Sequence, residues 1–468
     1  MSPFDPARWP ERLPGRYWLG GVQVPAQLLD APGSLQPAPP VCTLALLIEG
    51  GRIAAIEPRA PGGAATFDLD GAFALPAFTD LHTHLDKGDL LAAGLDPERD
   101  LFAAVDRVRA DYARWTEAEL RARIGFALRT AYAHGTRAIN TYVDWPDPGA
   151  PEGPLAWRVM QQLKPQWAGR VELQITSLAS IDRLADRQVA ETLARNLAAG
   201  GGALGLFVYP GAPLQWLPRA FDLAGRHGLA LDFHIDEHLE PPVANIGHVA
   251  RLARERGVGR RTVCAHACVL GTLPDGDRDR LLDEIAASGL TLVSLPYTNL
   301  YLQDNGVTAG GTRRTPRRRG LLPWHEARAR GIPLALASDN HRDVFFPGGD
   351  LDLLQALALA ANAAQLDDAL VGWADTVTTT PARFLGGPRD GRLRVGAPAD
   401  LVLHAGRTST EVLSRPQFGR QVLRAGQRLN AADATPPDFR ELSRELRPQR
   451  ARSLAHGPAQ GTAPRAAA

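Results

Sequence analysis

Through the middle of the chain, apolar runs of six to eight residues alternate with amphipathic stretches. The runs are Ala138 to Val143, Val171 to Leu178, Ala203 to Tyr209, Leu229 to Ile235, Thr262 to Ala267, Leu290 to Leu295 and Ile332 to Ala337. Each is short, mainly apolar and bounded by turn residues, the pattern of a strand buried on both faces. An eighth run, Leu75 to Leu81, precedes them and ends in His82-Thr83-His84. Between them, stretches such as Glu117 to His134, Gln188 to Ala199, Asn245 to Arg256, Arg278 to Ser288 and Trp324 to Arg330 carry helical periodicity and close on or near glycine. Eight strand-helix units over residues 76–385 predict an α/β fold, a (β/α)8 TIM barrel with its chemistry at the C-terminal strand ends. An open doubly wound sheet would want a G-x-G-x-x-G turn after an early strand, and the sequence has none there.

Outside that middle the pattern changes to short strands and glycine turns. Tyr17 to Val24, Leu44 to Ile56 and Gly391 to Leu403 read as strands, which predicts a small β-sandwich module built from residues 16–75 and 386–440, with the barrel inserted between its halves. Residues 1–15 read as a loose arm. Residues 441–468, arginine-bearing and rich in Ala, Pro and Gly, read as a disordered tail.

Composition narrows the class. A hydrophobic content of 44% is ample for a packed core, and a net charge of +1 exerts no global pull toward nucleic acid or an anionic membrane. Three cysteines (Cys42, Cys264, Cys268) cannot form a disulfide framework in 468 residues. No apolar run reaches membrane-spanning length and no secretory h-region opens the chain, so the expectation is a cytoplasmic protein. The run Arg313-Arg314-Thr315-Pro316-Arg317-Arg318-Arg319 follows the seventh strand; on a catalytic rim it would hold an anion or pair with Asp86, Asp343 or Asp350.

The barrel reading demands that functional residues cluster where strands end, and they do. His82 and His84 end the first strand, His234-Ile235-Asp236-Glu237 the fifth, His266 the sixth and Ser338-Asp339-Asn340 the eighth. Histidines at i and i+2 on an extended backbone point the same way and suit Zn²⁺ or Fe²⁺. Cys264-Ala265-His266-Ala267-Cys268 is a rival metal site, set against the usual role of a free cysteine as a small buried hydrophobe.

These strings, with His82-Thr83-His84-Leu85-Asp86-Lys87, Asn299-Leu300-Tyr301-Leu302-Gln303 and Arg317-Arg318-Arg319-Gly320, resemble the cytosine deaminase-like branch of the amidohydrolase superfamily over roughly residues 70–403. The resemblance implies hydrolytic deamination of a cyclic amidine, an amino-substituted nitrogen heterocycle. It implies metal ligation by His82, His84, His234 and Asp339, with a water made nucleophilic near neutral pH. It further implies that Asp339 accepts the proton of that water, that His266 stabilises the developing charge and that Glu237 shuttles a proton to the ring and to departing ammonia. Binuclear relatives bridge their metals with a carboxylated lysine at an early strand end; here the lysines are Lys87 and Lys164, so one divalent metal ion (Zn²⁺ or Fe²⁺) is expected. The P-C-x-x-C string that the other deaminase fold needs after its H-x-E does not occur.

The sequence departs from cytosine deaminase where the base is read. Leu178-Ala179-Ser180 stands at the Phe-Pro-Gln after the third strand, and Asn340 replaces the carboxylate after the catalytic strand-eight Asp. Two altered polar readers predict that cytosine is a poor substrate and that another or larger small-molecule heterocycle is preferred. Trp145, Ser180, Tyr297, Asn299, Gln303 and Asn340 are the candidate substrate-binding residues. Hydrolysis of a cyclic amide or of an N-substituted amino-heterocycle is the alternative, and the chain is compatible with monomer or homo-oligomer.

Overall fold

The structure, a computed structural model, describes residues 4, 9–30, 39–240, 244–306, 311–386 and 390–456. The N-terminal strands are β1 (Arg16–Pro25), β2 (Leu29–Asp30), β3 (Val41–Glu49), β4 (Arg52–Glu57), β5 (Ala65–Asp68) and β6 (Phe73–Pro76). Then come β7 (Phe78–Thr83), β8 (Thr136–Asp144), β9 (Glu172–Ser180), β10 (Leu204–Val208), β11 (Leu231–Ile235), β12 (Thr262–His266), β13 (Thr291–Ser294) and β14 (Leu334–Leu336). The C-terminal part adds β15 (Leu393–Arg394), β16 (Leu401–His404), β17 (Arg420–Arg424) and β18 (Gln427–Arg428).

Strands β7 to β14 pair in sequence order, each parallel to the next. A parallel bridge between Thr83 and Asp339 joins the two edges, with the Asp339 amide donating to the His82 carbonyl at 2.8 Å. That is the (β/α)8 barrel read from the periodicity. Its helices stop where the chemistry of the turn requires. Thr116 accepts from the Glu119 amide to start helix Glu117–Ala133, and Gly228 (φ 68°) closes helix Leu217–His227 in the left-handed conformation. Gly205 has a steric duty: a Cβ there would lie 1.9 Å from the Ser177 carbonyl oxygen, so β10 and β9 approach only because that atom is missing.

The β module is one eight-stranded mixed sheet, ordered β18-β17-β16-β6-β1-β3-β4 with β5 beside β1, accompanied by the two-stranded β2-β15 ladder. β16 from the C-terminal half pairs with β6 from the N-terminal half, Val402 opposite Leu75, so the two chain ends close one unit across the inserted barrel. Among the described residues no helix is long and apolar enough to cross a membrane.

The expectation of a disordered tail over 441–468 is corrected by the structure. Phe439–His456 is an 18-residue helix whose Leu442 and Leu446 are buried against Phe126; residues 457–468 lie outside the described residues. Composition missed it because only Leu442 and Leu446, four apart, are buried apolar residues among its described side chains. Buried charge holds the rest: Arg450 donates to Asp111 Oδ1 and Oδ2 at 2.7 and 2.8 Å and to Glu119 Oε1 at 2.6 Å. Removing it takes from two buried carboxylates their shared cation, leaving Asp111 with Trp115 and Glu119 with Arg123. Arg450→Ala should therefore cost about 2 to 4 kcal/mol of unfolding free energy in urea; a change under about 0.5 kcal/mol, the size of an ordinary surface substitution, would show the helix to be only loosely docked.

Candidate active site

Two carboxylates lie one layer beneath the strand-end histidines, at i−2 on the same strand faces: Asp80 below His82 and Asp232 below His234. Asp80 accepts from the Ser338 amide at 3.2 Å and the Ser338 hydroxyl at 2.5 Å, tying β7 to the segment that carries Asp339. Asn140 of β8 donates to the Leu81 carbonyl at 3.0 Å and to Asp232 Oδ2 at 3.3 Å, and accepts from the Thr176 hydroxyl at 2.7 Å. Burial pushes Asp80 up to about 7 and Asp232 up to about 8 against the pull of those hydrogen bonds. This polar floor was not singled out in the sequence. Its signal is there, because Asp80, Asn140, Thr176 and Asp232 interrupt otherwise apolar strand runs.

Above the floor the predicted ligands converge. One ring nitrogen from each of His82, His84 and His234 lies within 4.8 Å of the others, and the same holds for His82, His266 and Asp339. His84 Nε2 lies 3.3 Å from both His234 Nε2 and Asp339 Oδ1, and His82 Nε2 lies 3.5 Å from Asp339 Oδ1. Asp236, His266 and Asp339 take φ of 53°, 69° and 61°. Turned-back strand ends of this kind are stored strain of about 1 to 3 kcal/mol each, and here they aim side chains at one point. The Tyr142 ring packs 4.3 Å from His82 and 4.4 Å from His234.

The cluster is chemically incomplete by itself. Both Asp339 oxygens, both His82 nitrogens, Nδ1 of His84 and of His234, and His266 Nε2 are buried without a hydrogen-bond partner. Burial, the largest influence, holds His82, His84 and His234 well below the usual imidazole range, in the neutral form that ligates. Neutral nitrogens and a carboxylate around one point, with lone pairs unspent, fit a divalent ion such as zinc or iron. The rival cysteine site does not form: Cys264 and Cys268 are buried free thiols pushed upward by burial, and neither joins these groups.

Glu237 and His266 face each other, Oε1 to Nδ1 at 3.4 Å. The Asn299 amide nitrogen lies 3.0 Å from the same Nδ1. With Nδ1 accepting from Asn299, the ring proton sits on Nε2, the atom without a partner, directed at the Asp339 group. Burial pushes His266 down to about 4, which keeps it neutral. Burial first, then the charge of Asp339, holds Glu237 well above the usual carboxylate range, while Lys87 pulls the other way. Asp236 fixes the backbone that carries Glu237 by accepting from the Asn245 and Ile246 amides, both at 2.9 Å.

The six candidate substrate contacts separate. Asn299 reaches His266, and Gln303 donates to the Glu237 carbonyl at 3.2 Å. Tyr297 stacks on Phe346 at 5.3 Å beside them. Asn340 is engaged by Asp343 at 2.7 Å, and Ser180 donates to Asp182. Trp145 packs against Trp157 of helix Leu155–Trp167 at 5.0 Å, within the apolar core. The arginine loop also finds other partners than those expected. Arg314 pairs with Asp304 at 2.5 Å and Arg318 with Glu240 at 3.2 Å, in place of Asp86, Asp343 and Asp350, which are held by the Asp144 amide, by Asn340, and by His134 and Arg342. Sequence order could not foresee these choices because they depend on how far each loop folds back over the barrel mouth.

The polar floor makes a prediction of its own. Asn140→Ala leaves the Asp232 carboxyl, the Leu81 carbonyl and the Thr176 hydroxyl short of partners at about 1 to 3 kcal/mol for a stranded group. A loss of about 2 to 4 kcal/mol in equilibrium unfolding is expected; near-neutral stability would mean that the four strands are held without this clamp.

Comparison with known proteins agrees with this geometry. Residues 152–429 match the family model of the Amidohydrolase family. A pterin deaminase from Rhizobium rhizogenes is 36% identical over 402 residues, covering 85% of this chain and 89% of that protein. In structure, 5-methylcytosine deaminase from Klebsiella pneumoniae liganded with 5-fluorocytosine superposes with a TM-score of 0.75 at 24% identity, over 89% of this chain and 97% of that one. N-isopropylammelide isopropylaminohydrolase from Burkholderia multivorans gives 0.67 at 26% identity, over 90% and 100%. The family, barrel and reaction class read from the strand-end residues, hydrolysis of carbon–nitrogen bonds in cyclic amidines, agree with these relatives. The chain belongs to the amidohydrolase family.

Proposed function

We propose that this enzyme hydrolyses the exocyclic amine of an amino-oxo-pteridine, a pterin, releasing ammonia and leaving the dioxo ring. The observation that carries the reading is the pairing of Glu237 with a neutral His266 over one buried nitrogen and oxygen cluster. Ser180 and Asn340, where the sequence departs from cytosine deaminase, are engaged by Asp182 and Asp343, which supports a substrate other than cytosine. The 36% identical pterin deaminase supports the choice of ring.

A single divalent ion held by His82, His84, His234 and Asp339 would supply acidification of the attacking water. The absence of a bridging lysine supports one ion: Lys87 is bound by Asp144 at 2.7 Å, and Lys164 sits on the outer helix Leu155–Trp167, beside the carbonyls of Gly200 and Gly201. Asp339 takes the water proton as oxygen adds to the amino-bearing carbon. Glu237 protonates the adjacent ring nitrogen, and the Nε2 proton of His266 binds the oxygen on which charge gathers. The tetrahedral carbon then collapses: the proton held by Asp339 passes to the amine nitrogen, the carbon–nitrogen bond breaks and ammonia leaves, while the proton of the added hydroxyl passes to Glu237, which forms the ring carbonyl and restores the acid. Asn299 holds His266 in the required tautomer. Free, buried cysteines support a cytoplasmic setting.

The 26% identical isopropylaminohydrolase keeps a second reading in view, hydrolysis of an N-alkyl amine. Detecting an alkylamine product in place of ammonia would favour it.

Three measurements test the proposal. Elemental analysis should give one divalent ion per chain, lost in His234→Ala; two ions, or full occupancy without His234, would refute the ligand set. Glu237→Gln should retain the ion and the fold yet lose roughly 10² to 10⁴ in kcat on pterin. With wild-type enzyme, a cytosine kcat/KM of about 10⁵ M⁻¹s⁻¹ or more, typical of a good enzyme on its own substrate, would return the assignment to cytosine.

A further inference from the structure

A cavity of about 780 Å³ opens from Glu237 to the surface. Its inner wall is made of buried Glu237, Leu239, Leu302 and Gln303, while Arg99, Phe102 and Arg313 line the exposed mouth. This volume lies in the roughly 300 to 1,000 Å³ range of pockets that hold drug-sized ligands, so it offers room beyond a bare fused ring.

The charges around it are unevenly satisfied. Arg314 is neutralised by Asp304 and Arg318 by Glu240. The Asp100 carboxylate caps helix Leu101–Asp111 through the Ala103 amide, and the positive end of that 11-residue helix reaches the cavity at Leu101 and Phe102. The Arg99 guanidinium lies over the Tyr301 ring, at 4.9 Å, while the Arg99 carbonyl accepts from Asn305 at 2.7 Å, and among the described residues neither Arg99 nor Arg313 has a carboxylate partner. Residues 241–243 and 307–310, which flank lining residues in sequence, contain no acidic residue. Two uncompensated guanidinium groups therefore stand at the mouth of a cavity whose floor is the proposed acid, next to an exposed phenyl ring.

We propose that this mouth binds a negatively charged substituent, a carboxylate, carried by the heterocyclic substrate, with Arg99 and Arg313 as specificity-determining residues. The inference rests on the proposed deamination of a fused amino-heterocycle. Ring recognition would be completed at Glu237 and Gln303, and the side chain would extend over Phe102 to the arginines. Guanidinium groups this exposed act as a screened attraction, strongest at low salt, and alter KM more than kcat.

The test compares 2-amino-4-oxopteridine bearing 6-carboxylate with its 6-methyl analogue, in the wild-type enzyme and in the Arg99→Ala/Arg313→Ala variant. The wild type should favour the carboxylate in kcat/KM by about tenfold, the preference shrinking between 0.05 and 0.5 M salt, and the variant should lose it while keeping its rate on the methyl compound. Calorimetric binding of the two deaminated products reads the same preference without turnover. If neither pterin releases ammonia but the carboxylated product still binds selectively, and only with the arginines present, the reaction assignment fails and the mouth stands. Equal carboxylate preference in wild type and variant, none in the wild type, or no binding of either product overturns the mouth.

Discussion

Closure of the barrel is the constraint from which the site follows. The hydrogen bond from the Asp339 amide to the His82 carbonyl joins the last strand segment to the first. Residues remote in sequence, His82 and His84 on one side and Asp339 on the other, are thereby brought within about ligand distance of one another. The same contact sets fold and chemistry. A register slip of one residue on β7 would turn both histidines, and Asp80 beneath them, away from the barrel axis and put Leu81 and Thr83 in their place. Ser338 guards against this, since its amide and hydroxyl both read Asp80, a residue of the same strand face.

Closure also has an energetic cost. Several imidazole nitrogens and both Asp339 oxygens are buried without partners, an arrangement in which each atom forfeits about 1 to 3 kcal/mol of solvation. A protein selected only for stability would replace such residues by hydrocarbon. A cation shared among the lone pairs would offset the penalty and make binding energy part of folding energy. The positive φ of Asp236, His266 and Asp339 belongs to the same balance, with local strain held by a rigid scaffold so that donors point inward.

Much of this was legible in the sequence because period-two and strand-helix alternation report directly on burial. All eight barrel strands are readable as apolar runs, and the polar residues at their ends lie together in the folded chain. Legibility failed where geometry depends on side chains meeting across long separations. Trp145 directly follows a strand and so reads as a pocket residue, yet its neighbour is Trp157 of an outer helix. The helix at Phe439–His456 was hidden by its composition, because its buried attachment rests on Arg450, Leu442 and Leu446, spread thinly among charged residues. Asn299 could be placed near the mouth, but its hold on His266 appears only in three dimensions.

That C-terminal helix is connected to the site by a continuous series of buried polar contacts. Arg450 binds Glu119, which also meets Arg123 at 3.2 Å; Arg123 in turn donates to the carbonyls of Asp86 and Gly88 at 2.6 and 2.9 Å. Between those carbonyls stands Lys87, bound to Asp144, which is also contacted by Tyr112. Burial alone would drive the Lys87 ammonium down, but Asp144 and Asp86 more than reverse this and hold it above its ordinary range. The buried cation therefore stays charged at neutral pH, and it needs both carboxylates close by. The loop that follows His84 is thus shaped by charge pairing that begins at residue 450, which gives the last helix of the chain a physical reason to be docked on the barrel instead of trailing from it.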